Sequence, residues 1–327
     1  MIRLGTRGSA LALAQARWVA ERLPGEAVLV EITTSGDRGS RDDKSRFVKE
    51  IEEALLAGEV DLAVHSAKDV PGELPEGLSI VGVPERADPL DALCGAGSLD
   101  SLREGAVVGT SSVRRRAQLL ALRPDLSVRE LRGNVDTRLR RLAEGGYEAI
   151  VLARAGLIRL GRDEEGAALG ELVPAPGQGC LVLEARSDDE AAREAAGELT
   201  DGDALAALTA ERAVVTALEA TCNTPIGAWA RLDDGAPREG APGAPRREDG
   251  PPREGAPLRE GGPLREGDPL RLTAFVGLPD GIHWIRDDFA GDAAGPAALG
   301  REVASRLEAA GARDLLVEAE RAASRSS

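Results

Sequence analysis

Residues 106–120 read AVVGTSSVRRRAQLL, an apolar run followed by three hydroxyl side chains and three consecutive arginines. The run AVVG predicts a short buried strand, and Ser111 or Ser112 can cap the helix that follows. The first amides of a helix are unpaired and carry partial positive charge, so this junction is suited to an anion. It also supplies hydroxyl and guanidinium donors, from Thr110, Ser112, Arg114 and Arg115.

Two further stretches repeat this arrangement. The predicted strand SVREL, residues 127–131, runs into Arg132, Gly133 and a helix that carries Arg138. Near the N-terminus, LGTRGS places Arg7 and Ser9 between a strand and a helix. Because ligands of open α/β folds bind at the carboxyl edge of the sheet, we expect these groups to face one anionic ligand.

Strands and helices alternate over the first two-thirds of the chain, which predicts α/β domains with mainly parallel sheets. The predicted strands are Ile2–Gly5, Val28–Ile32, Val60–Val64, Leu78–Val83, Ala106–Gly109, Ser127–Leu131, Ala149–Ala153 and Leu181–Glu184. Helices are predicted from Ser9 to Leu23, around Phe47, Ile51 and Leu55, and from Val113 to Leu122. A smaller C-terminal unit follows, with a helix over Leu205–Ala220, strands Leu272–Val276 and Ile282–Ile285, and a helix over Ala297–Ala310.

Composition limits the classes of protein to consider. The 327 residues suffice for two or three domains, and hydrophobic residues make up 42%. The chain has no apolar run long enough for a transmembrane helix and no signal-peptide pattern, so we expect a soluble cytoplasmic protein without membrane partners. Three separated cysteines, Cys94, Cys180 and Cys222, with only two histidines predict neither a disulfide framework nor a metal site. A net charge of −15 and 2% aromatic residues argue against nucleic acid as the ligand of the arginines.

The segment from Asp234 to Asp268 repeats a Pro-Arg-Glu-Gly theme. Such a composition cannot bury enough apolar surface to offset its ordering entropy. We interpret it as a disordered insertion between two strands of the last domain, tolerated rather than functional.

The stretch HSAKDVP, residues 65–71, closes a predicted strand and places Lys68 and Asp69 at a ligand edge. A carboxylate there can stabilise a developing cation or transfer a proton. The alternative is an ordinary aspartate in a turn before Pro71, and the motif alone leaves both open. We interpret His65 as structural. Cys222, in ATCNTPIG, has no basic neighbour to activate its thiol and stays unassigned by the residues alone.

Taken together, these stretches resemble the hydroxymethylbilane synthases, a family also called porphobilinogen deaminases. The matching motifs occur in order over about residues 1–230: LGTRGSALALAQA, FVKEIEEALL, VDLAVHSAKDVP, VGTSSVRRRAQL, LRGNVDTRLRRL, IVLARAGLIRLG, APGQG and ERAVVTALEATCNTPIGA. The combination of HSAKDVP, GTSSVRR and LRGNV is highly specific to that family.

The resemblance implies three α/β domains, two of them similar to type II periplasmic binding proteins and facing each other across a cleft. The expected boundaries are 1–86 with 180–198, 87–179, and 199–327. A dipyrromethane cofactor would be attached through a thioether to Cys222 in the third domain. The enzyme would add four porphobilinogen molecules to it, each with loss of ammonia, and then release a linear tetrapyrrole by hydrolysis.

The resemblance also implies roles for individual residues. Asp69 matches the catalytic aspartate, with Lys68 beside it, and would stabilise the cation left when ammonia departs. The cofactor would be bound by Cys222, Arg7, Ser9, Lys68, Asp69, Thr110, Ser112, Arg114, Arg115, Arg132 and Gly133. The acetate and propionate groups of the substrate would be bound by Arg7, Ser9, Gln15, Arg132 and Arg138. Arg116 falls at a variable position, and we expect it to be solvated.

The sequence departs from the family pattern before FVKE, where SRDDKSR retains Lys44 but lacks the usual glycines. Two other functions remain to be distinguished from the enzyme: a binding module that grips a carboxylate-rich ligand without chemistry, and a nucleic-acid regulator built around SSVRRR. We expect a monomer, because the sequence shows no additional apolar stripe.

Overall fold

A computed structural model describes residues 1–34, 48–220, 224–232 and 268–325. Its strands are β1 (Ile2–Arg7), β2 (Ala27–Ile32), β3 (Leu62–Ser66), β4 (Leu78–Gly82), β5 (Asp91–Cys94), β6 (Val107–Gly109), β7 (Ser127–Arg129), β8 (Ala149–Ala153), β9 (Ala167–Leu169), β10 (Leu181–Arg186), β11 (Ile226–Leu232), β12 (Pro269–Gly277) and β13 (Trp284–Asp292). Its helices are α1 (Ala10–Ala20), α2 (Lys49–Leu56), α3 (Val113–Leu122), α4 (Val135–Ala143), α5 (Arg154–Arg159), α6 (Glu190–Gly197), α7 (Gly202–Ala217), α8 (Pro296–Ala309) and α9 (Ala312–Arg325).

The first two sheets share one topology. The first sheet has the order β2-β1-β3-β10-β4 and the second has the order β7-β6-β8-β5-β9. In each sheet one strand, β10 or β5, runs antiparallel to both of its neighbours. Each of these strands comes directly after the chain has crossed from the other sheet. The α/β prediction is confirmed, and each sheet has one reversed strand among parallel ones.

The third sheet is different, because β11, β12 and β13 pair only in antiparallel fashion. Its core is formed with α7, α8 and α9, and includes Val214, Leu272, Val303 and Leu307. Its first two strands, β11 and β12, are joined by the chain segment that contains the Pro-Arg-Glu-Gly repeats. Those repeats lie outside the described residues.

Two strands of the second sheet were not predicted. β5 has four residues, all buried and including Asp91, and β9 has only three. Neither is long enough to show a period of two, and a buried aspartate opposes the usual strand composition. β13 begins two residues later than the predicted strand Ile282–Ile285 and extends seven residues further, to Asp292, because half-buried and exposed residues, several of them charged, alternate along its nine residues. The C-terminal helix α9 was also missed.

Local packing explains why the predicted helices form. On α2, Ile51 and Leu55 are fully buried at a spacing of four residues, against Val60, which precedes β3, and Ala63 within β3. The side chain of Asp201 caps α7 by accepting a hydrogen bond from the Ala204 amide at 2.7 Å. Among the described residues, the helices are too short or too polar to span a lipid bilayer.

Candidate active site

The first wall of the candidate site is the junction between β1 and α1. Arg7 ends the strand, and Ser9 caps the helix by accepting a hydrogen bond from the Ala12 amide at 3.3 Å. Gln15 lies one and a half turns further along α1 and is buried. The alternation of strand and capped helix therefore places three predicted residues on one edge of the first sheet.

The second wall is the turn after β3. Ala67–Asp69 forms a single 3-10 turn, and Ala67 is buried together with Val70. These two apolar side chains anchor the turn, so Lys68 and Asp69 between them stay half-exposed. Lys68 Nζ donates a hydrogen bond to Gln178 Oε1 at 3.2 Å.

A cleft of about 110 Å³ lies between these walls and residues of the second sheet and α5. It is lined by five of the predicted residues, Arg7, Ser9, Gln15, Lys68 and Asp69. The opposite side is lined by Ala153, Ala155, Gly156 and Arg159. The cleft therefore brings Asp69 together with cationic side chains from β1, from the turn after β3 and from α5.

Arg159 is a residue that sequence reasoning did not single out. Its guanidinium donates to the Gly179 carbonyl at 2.7 Å and lines the cleft. Burial lowers the pKa of Arg159 to about 10, so the side chain remains a cation at neutral pH. It lies in the matched motif LIRLG, but a lone arginine at the end of a short helix gives no local signal of binding.

Arg114 and Arg115 lie elsewhere, in the interior behind the cleft. Both guanidinium groups bind the carboxylate of Asp91 at 2.8 Å, and the carboxylate is fully buried. Arg114 also donates to the Val173 carbonyl and Arg115 to the Val151 carbonyl. The sequence predicts that Arg114 and Arg115 bind a carboxylate of a ligand. In the structure they bind a carboxylate of the protein itself, that of Asp91.

Asp91 links this pair of arginines to the cleft. Its oxygen accepts a hydrogen bond from Gln178 Nε2 at 2.9 Å, and the same amide group binds Lys68 through its oxygen. Burial alone would raise the pKa of Asp91, but Arg114 and Arg115 hold it far below the usual range of an aspartate. A continuous polar network therefore runs from Asp91 to Lys68.

The hydroxyl groups near the start of α3 make local contacts. Ser112 Oγ accepts from the Arg115 amide at 3.4 Å and caps the helix, as predicted. Thr110 Oγ1 accepts from the Ser112 amide at 3.2 Å. Arg116 is exposed, but it is not merely solvated as expected. It donates to the carbonyls of Val128 at 2.8 Å and Pro279 at 3.2 Å, which ties α3 to the turn between β12 and β13.

The third junction precedes α4. Gly133 has a positive φ of 120°, which favours glycine, and a Cβ there would lie 2.8 Å from the Thr137 side chain. Arg138 Nε donates to the Gly133 carbonyl at 2.7 Å, and burial together with the charge of Arg115 lowers the pKa of Arg138 to about 10. Arg132 is exposed and pairs with Glu130. These residues are not among those that line the cleft.

Beneath the cleft lies a buried group of titratable side chains. His65 Nε2 is 3.1 Å from Glu184 Oε2, and both side chains are almost completely buried. Glu52 of α2 is also buried, and desolvation followed by the charge of Glu184 raises the pKa of Glu52. His65 thus contacts a core acid while also lining the cleft.

Cys222 and Lys44 lie outside the described residues. The structure follows the chain to Ala220, shortly after the end of α7, and resumes at Thr224 before β11. The predicted cofactor cysteine therefore falls in the connection between these two elements.

Comparison with known proteins places the chain in a family. A family described as "Porphobilinogen deaminase, dipyromethane cofactor binding domain" matches residues 2–194. A porphobilinogen deaminase from Thermus thermophilus is 45% identical over 329 residues, covering 97% of this chain and 99% of the relative. One from Rubrobacter xylanophilus is 51% identical over 240 residues, covering 69% and 79%. A solved periplasmic substrate-binding protein from Coxiella burnetii, 17% identical, covers 61% of this chain and 91% of its own with a TM-score of 0.39. On the family match and the two deaminase relatives, this chain belongs to the porphobilinogen deaminase family.

Proposed function

We propose that this chain is a hydroxymethylbilane synthase, a transferase of tetrapyrrole biosynthesis. It condenses four porphobilinogen molecules onto a dipyrromethane cofactor with loss of ammonia, and releases the linear tetrapyrrole hydroxymethylbilane by hydrolysis. The observation that carries the proposal is the position of Asp69, in a cleft with Arg7, Lys68 and Arg159, in a chain of this family.

The side chains of the cleft fit a dipyrromethane group. Such a group carries several carboxylates, and the cleft offers two guanidinium groups, an ammonium group, the Ser9 hydroxyl and the Gln15 amide. Cys222 would carry the cofactor through a thioether. When bound, the cofactor supplies the pyrrole carbon to which the first substrate unit is joined.

Asp69 would act on the porphobilinogen that enters the cleft. Its carboxylate would stabilise positive charge that develops on the pyrrole as ammonia departs, and would accept the proton released when the new carbon–carbon bond forms. Lys68 is held by Gln178 and would bind a substrate carboxylate beside it.

The remaining arginines have different places in this proposal. Arg132 and Arg138, with Gly133, would bind carboxylates of the substrate or cofactor from the junction before α4. The cofactor site would also include Thr110, Ser112, Arg114 and Arg115. Several guanidinium N–H groups of the two arginines already donate to Asp91 and to backbone carbonyls, so only their other N–H groups could bind a cofactor carboxylate. Their contacts favour a supporting role through Asp91 and Gln178.

Replacement of Asp69 by Ala tests the proposed chemistry. We expect turnover of porphobilinogen to fall by about 10²-fold or more, the usual contribution of a positioned acid–base group, while equilibrium binding of porphobilinogen is retained. Asp61→Asn is the matched control, because Asp61 pairs with the exposed Arg3 away from the cleft.

The binding-module alternative makes a different prediction. The wild-type protein would then bind porphobilinogen without releasing ammonia, and Asp69→Ala would change neither property. Loss of binding and turnover in equal measure would contradict the role given to Asp69.

We propose three domains, over 1–86 with 180–198, 87–179, and 199–327, which agree with the division of strands among three sheets. We also propose a cytoplasmic monomer. Sedimentation velocity over a range of protein concentrations tests the monomer, since a dimer would sediment faster as concentration rises.

A further inference from the structure

One face of α7 contacts the turn that carries Asp69. Ala204, Leu208, Arg212 and Thr216 follow one another at intervals of four residues, so they form a single stripe along the helix. The stripe faces residues 67–72 along its whole length.

The first half of the stripe is apolar. Ala204 and Leu208 belong to the same buried cluster as Ala67 and Val70, the two residues that flank Lys68 and Asp69. The turn is therefore packed from below by a helix that belongs to the C-terminal part of the chain.

The second half of the stripe is polar. Arg212 Nη2 donates to the carbonyls of Pro71 at 2.7 Å and Gly72 at 2.9 Å, and Arg212 Nη1 is 3.4 Å from the carbonyl of Val70. A Cβ on Gly72 would lie 3.8 Å from Thr216 Oγ1. One planar guanidinium group thus binds three consecutive carbonyls directly after Asp69.

The chemistry of Arg212 suits this task. Pro71 has no amide hydrogen and cannot continue a regular ladder, so the backbone after Asp69 is poorly suited to secondary structure. A guanidinium fork can bind several carbonyls at fixed angles, whereas an ammonium group cannot. Burial lowers the pKa of Arg212, and the opposing charge of Glu184 offsets only part of that effect. The chain therefore uses a partly desolvated cation here to bind neutral acceptors.

The same helix leads to the cofactor cysteine. Arg212 is five residues before the end of α7 at Ala217, a rise of about 7–8 Å along the helix. Cys222 follows five residues later in the sequence. A single rigid element therefore connects the backbone after Asp69 with the segment that leads to Cys222.

We propose that Arg212 is a positioning residue, which holds the carbonyls of Val70, Pro71 and Gly72 and thereby sets the place of Asp69 relative to α7. The proposal rests on the catalytic role proposed for Asp69. It assigns Arg212 an action through the backbone and no contact with the substrate.

Arg212→Gln, Arg212→Lys and Arg301→Gln form the test. Arg301 is an exposed residue of α8 that lines the same 440 Å³ cavity as Arg212 and serves as the matched control. For each protein we would measure kcat and KM for porphobilinogen, the unfolding midpoint in urea, and hydrogen exchange of backbone amides in residues 66–74.

We expect Arg212→Gln to lower kcat by about 10- to 100-fold, the effect of a small misplacement of a catalytic group, with KM changed less than about twofold. Exchange in residues 66–74 should become about tenfold faster, without a matching rise in the rest of the first sheet. Arg212→Lys should recover part of both effects, and Arg301→Gln should match the wild type.

Two results would overturn the proposal. One is wild-type kcat in Arg212→Gln, with or without faster local exchange. The other is a general rise of exchange and a lower unfolding midpoint in both Arg212 variants, which indicates a structural residue only. If Asp69→Ala retained turnover, the proposed function would fail instead, and the exchange data would still decide whether Arg212 holds the turn.

Discussion

Asp91 shows most clearly how single residues support the candidate site. Its fully buried carboxylate receives Arg114, Arg115 and the Gln178 amide. Asp91→Asn would leave two buried guanidinium groups without their acid, and we expect the free energy of unfolding in urea to fall by about 3–5 kcal/mol.

The control for this measurement is Glu144→Gln, which removes an exposed pair with Arg140 on α4. An exposed ion pair contributes little to stability in water, so Glu144→Gln should change the free energy of unfolding by less than about 0.5 kcal/mol. If Asp91→Asn lowered the free energy of unfolding no more than Glu144→Gln does, the contacts of Asp91 with Arg114 and Arg115 would not stabilise the fold as proposed.

Glu52 is a buried acid whose charge is unfavourable in the folded protein. Burial, and then the charge of Glu184, raise the pKa of Glu52. The folded protein therefore favours the protonated carboxyl group. The stability that this preference contributes is complete below the unfolded pKa of about 4.3 and is lost as the pH rises through the folded pKa. Glu52→Gln should therefore unfold at higher urea concentration than the wild type at pH 7, and the difference should shrink towards pH 4.

The adjacent Glu53 is exposed and provides the control on the same helix. Glu53→Gln should show no comparable dependence on pH. A Glu52→Gln variant that is less stable than the wild type at pH 7 would mean that the charged carboxylate has a stabilising partner.

The residues at the strand-to-helix junctions could be predicted from the sequence, but the distant residue that pairs with Arg114 and Arg115 could not. Arg7, Ser9, Gln15, Lys68 and Asp69 were identified and lie together at one cleft. Asp91 was not, because it precedes Arg114 by 23 residues and nothing local to either residue indicates the contact. The role of Cys222 came only from the resemblance, since a cysteine without basic neighbours has no distinctive local signal.

At the scale of elements, the packing of α7 on α8 depends on a glycine. A Cβ on Gly300 would lie 2.3 Å from the Ala210 carbonyl oxygen and 2.6 Å from the Ala213 side chain. Gly300→Ala should separate the helices and lower the free energy of unfolding by about 1–3 kcal/mol.

Gly197→Ala is the control, because a Cβ there meets no neighbouring atom within 4 Å. At the end of α6 it should be neutral or slightly stabilising. Equal effects of the two substitutions on the urea midpoint would show that the contact between α7 and α8 can relax at little cost.

Periodicity explains which elements could be predicted. The longer parallel strands and α2 carry apolar residues at regular spacing, and they form where expected. α7 begins three residues earlier than predicted because Asp201 caps it, a signal that the apolar pattern does not contain. β5 and β9 are stabilised by their neighbours in the sheet, so no pattern within three or four residues reveals them.

At the scale of the whole molecule, the two crossings between the first and second sheets are tied to α7. Arg86, on the first crossing, binds Glu211 of α7 through two nitrogens at 2.7 and 3.2 Å and also donates to the Gln178 carbonyl on the second crossing. These contacts join residues about a hundred positions apart in the chain. Local patterns therefore predicted α/β units but neither their number nor how they exchange strands, and both expectations came from the resemblance.

The proposed function requires that the chain builds a tetrapyrrole on a cofactor attached to Cys222. It is tested most directly by peptide-level mass spectrometry of the protein purified from cells, before and after incubation with porphobilinogen or preuroporphyrinogen. We expect a dipyrromethane adduct on the peptide that contains Cys222, and none on the peptides of Cys94 or Cys180, which are buried. A Cys222 thiol that stays unmodified after both incubations would contradict it.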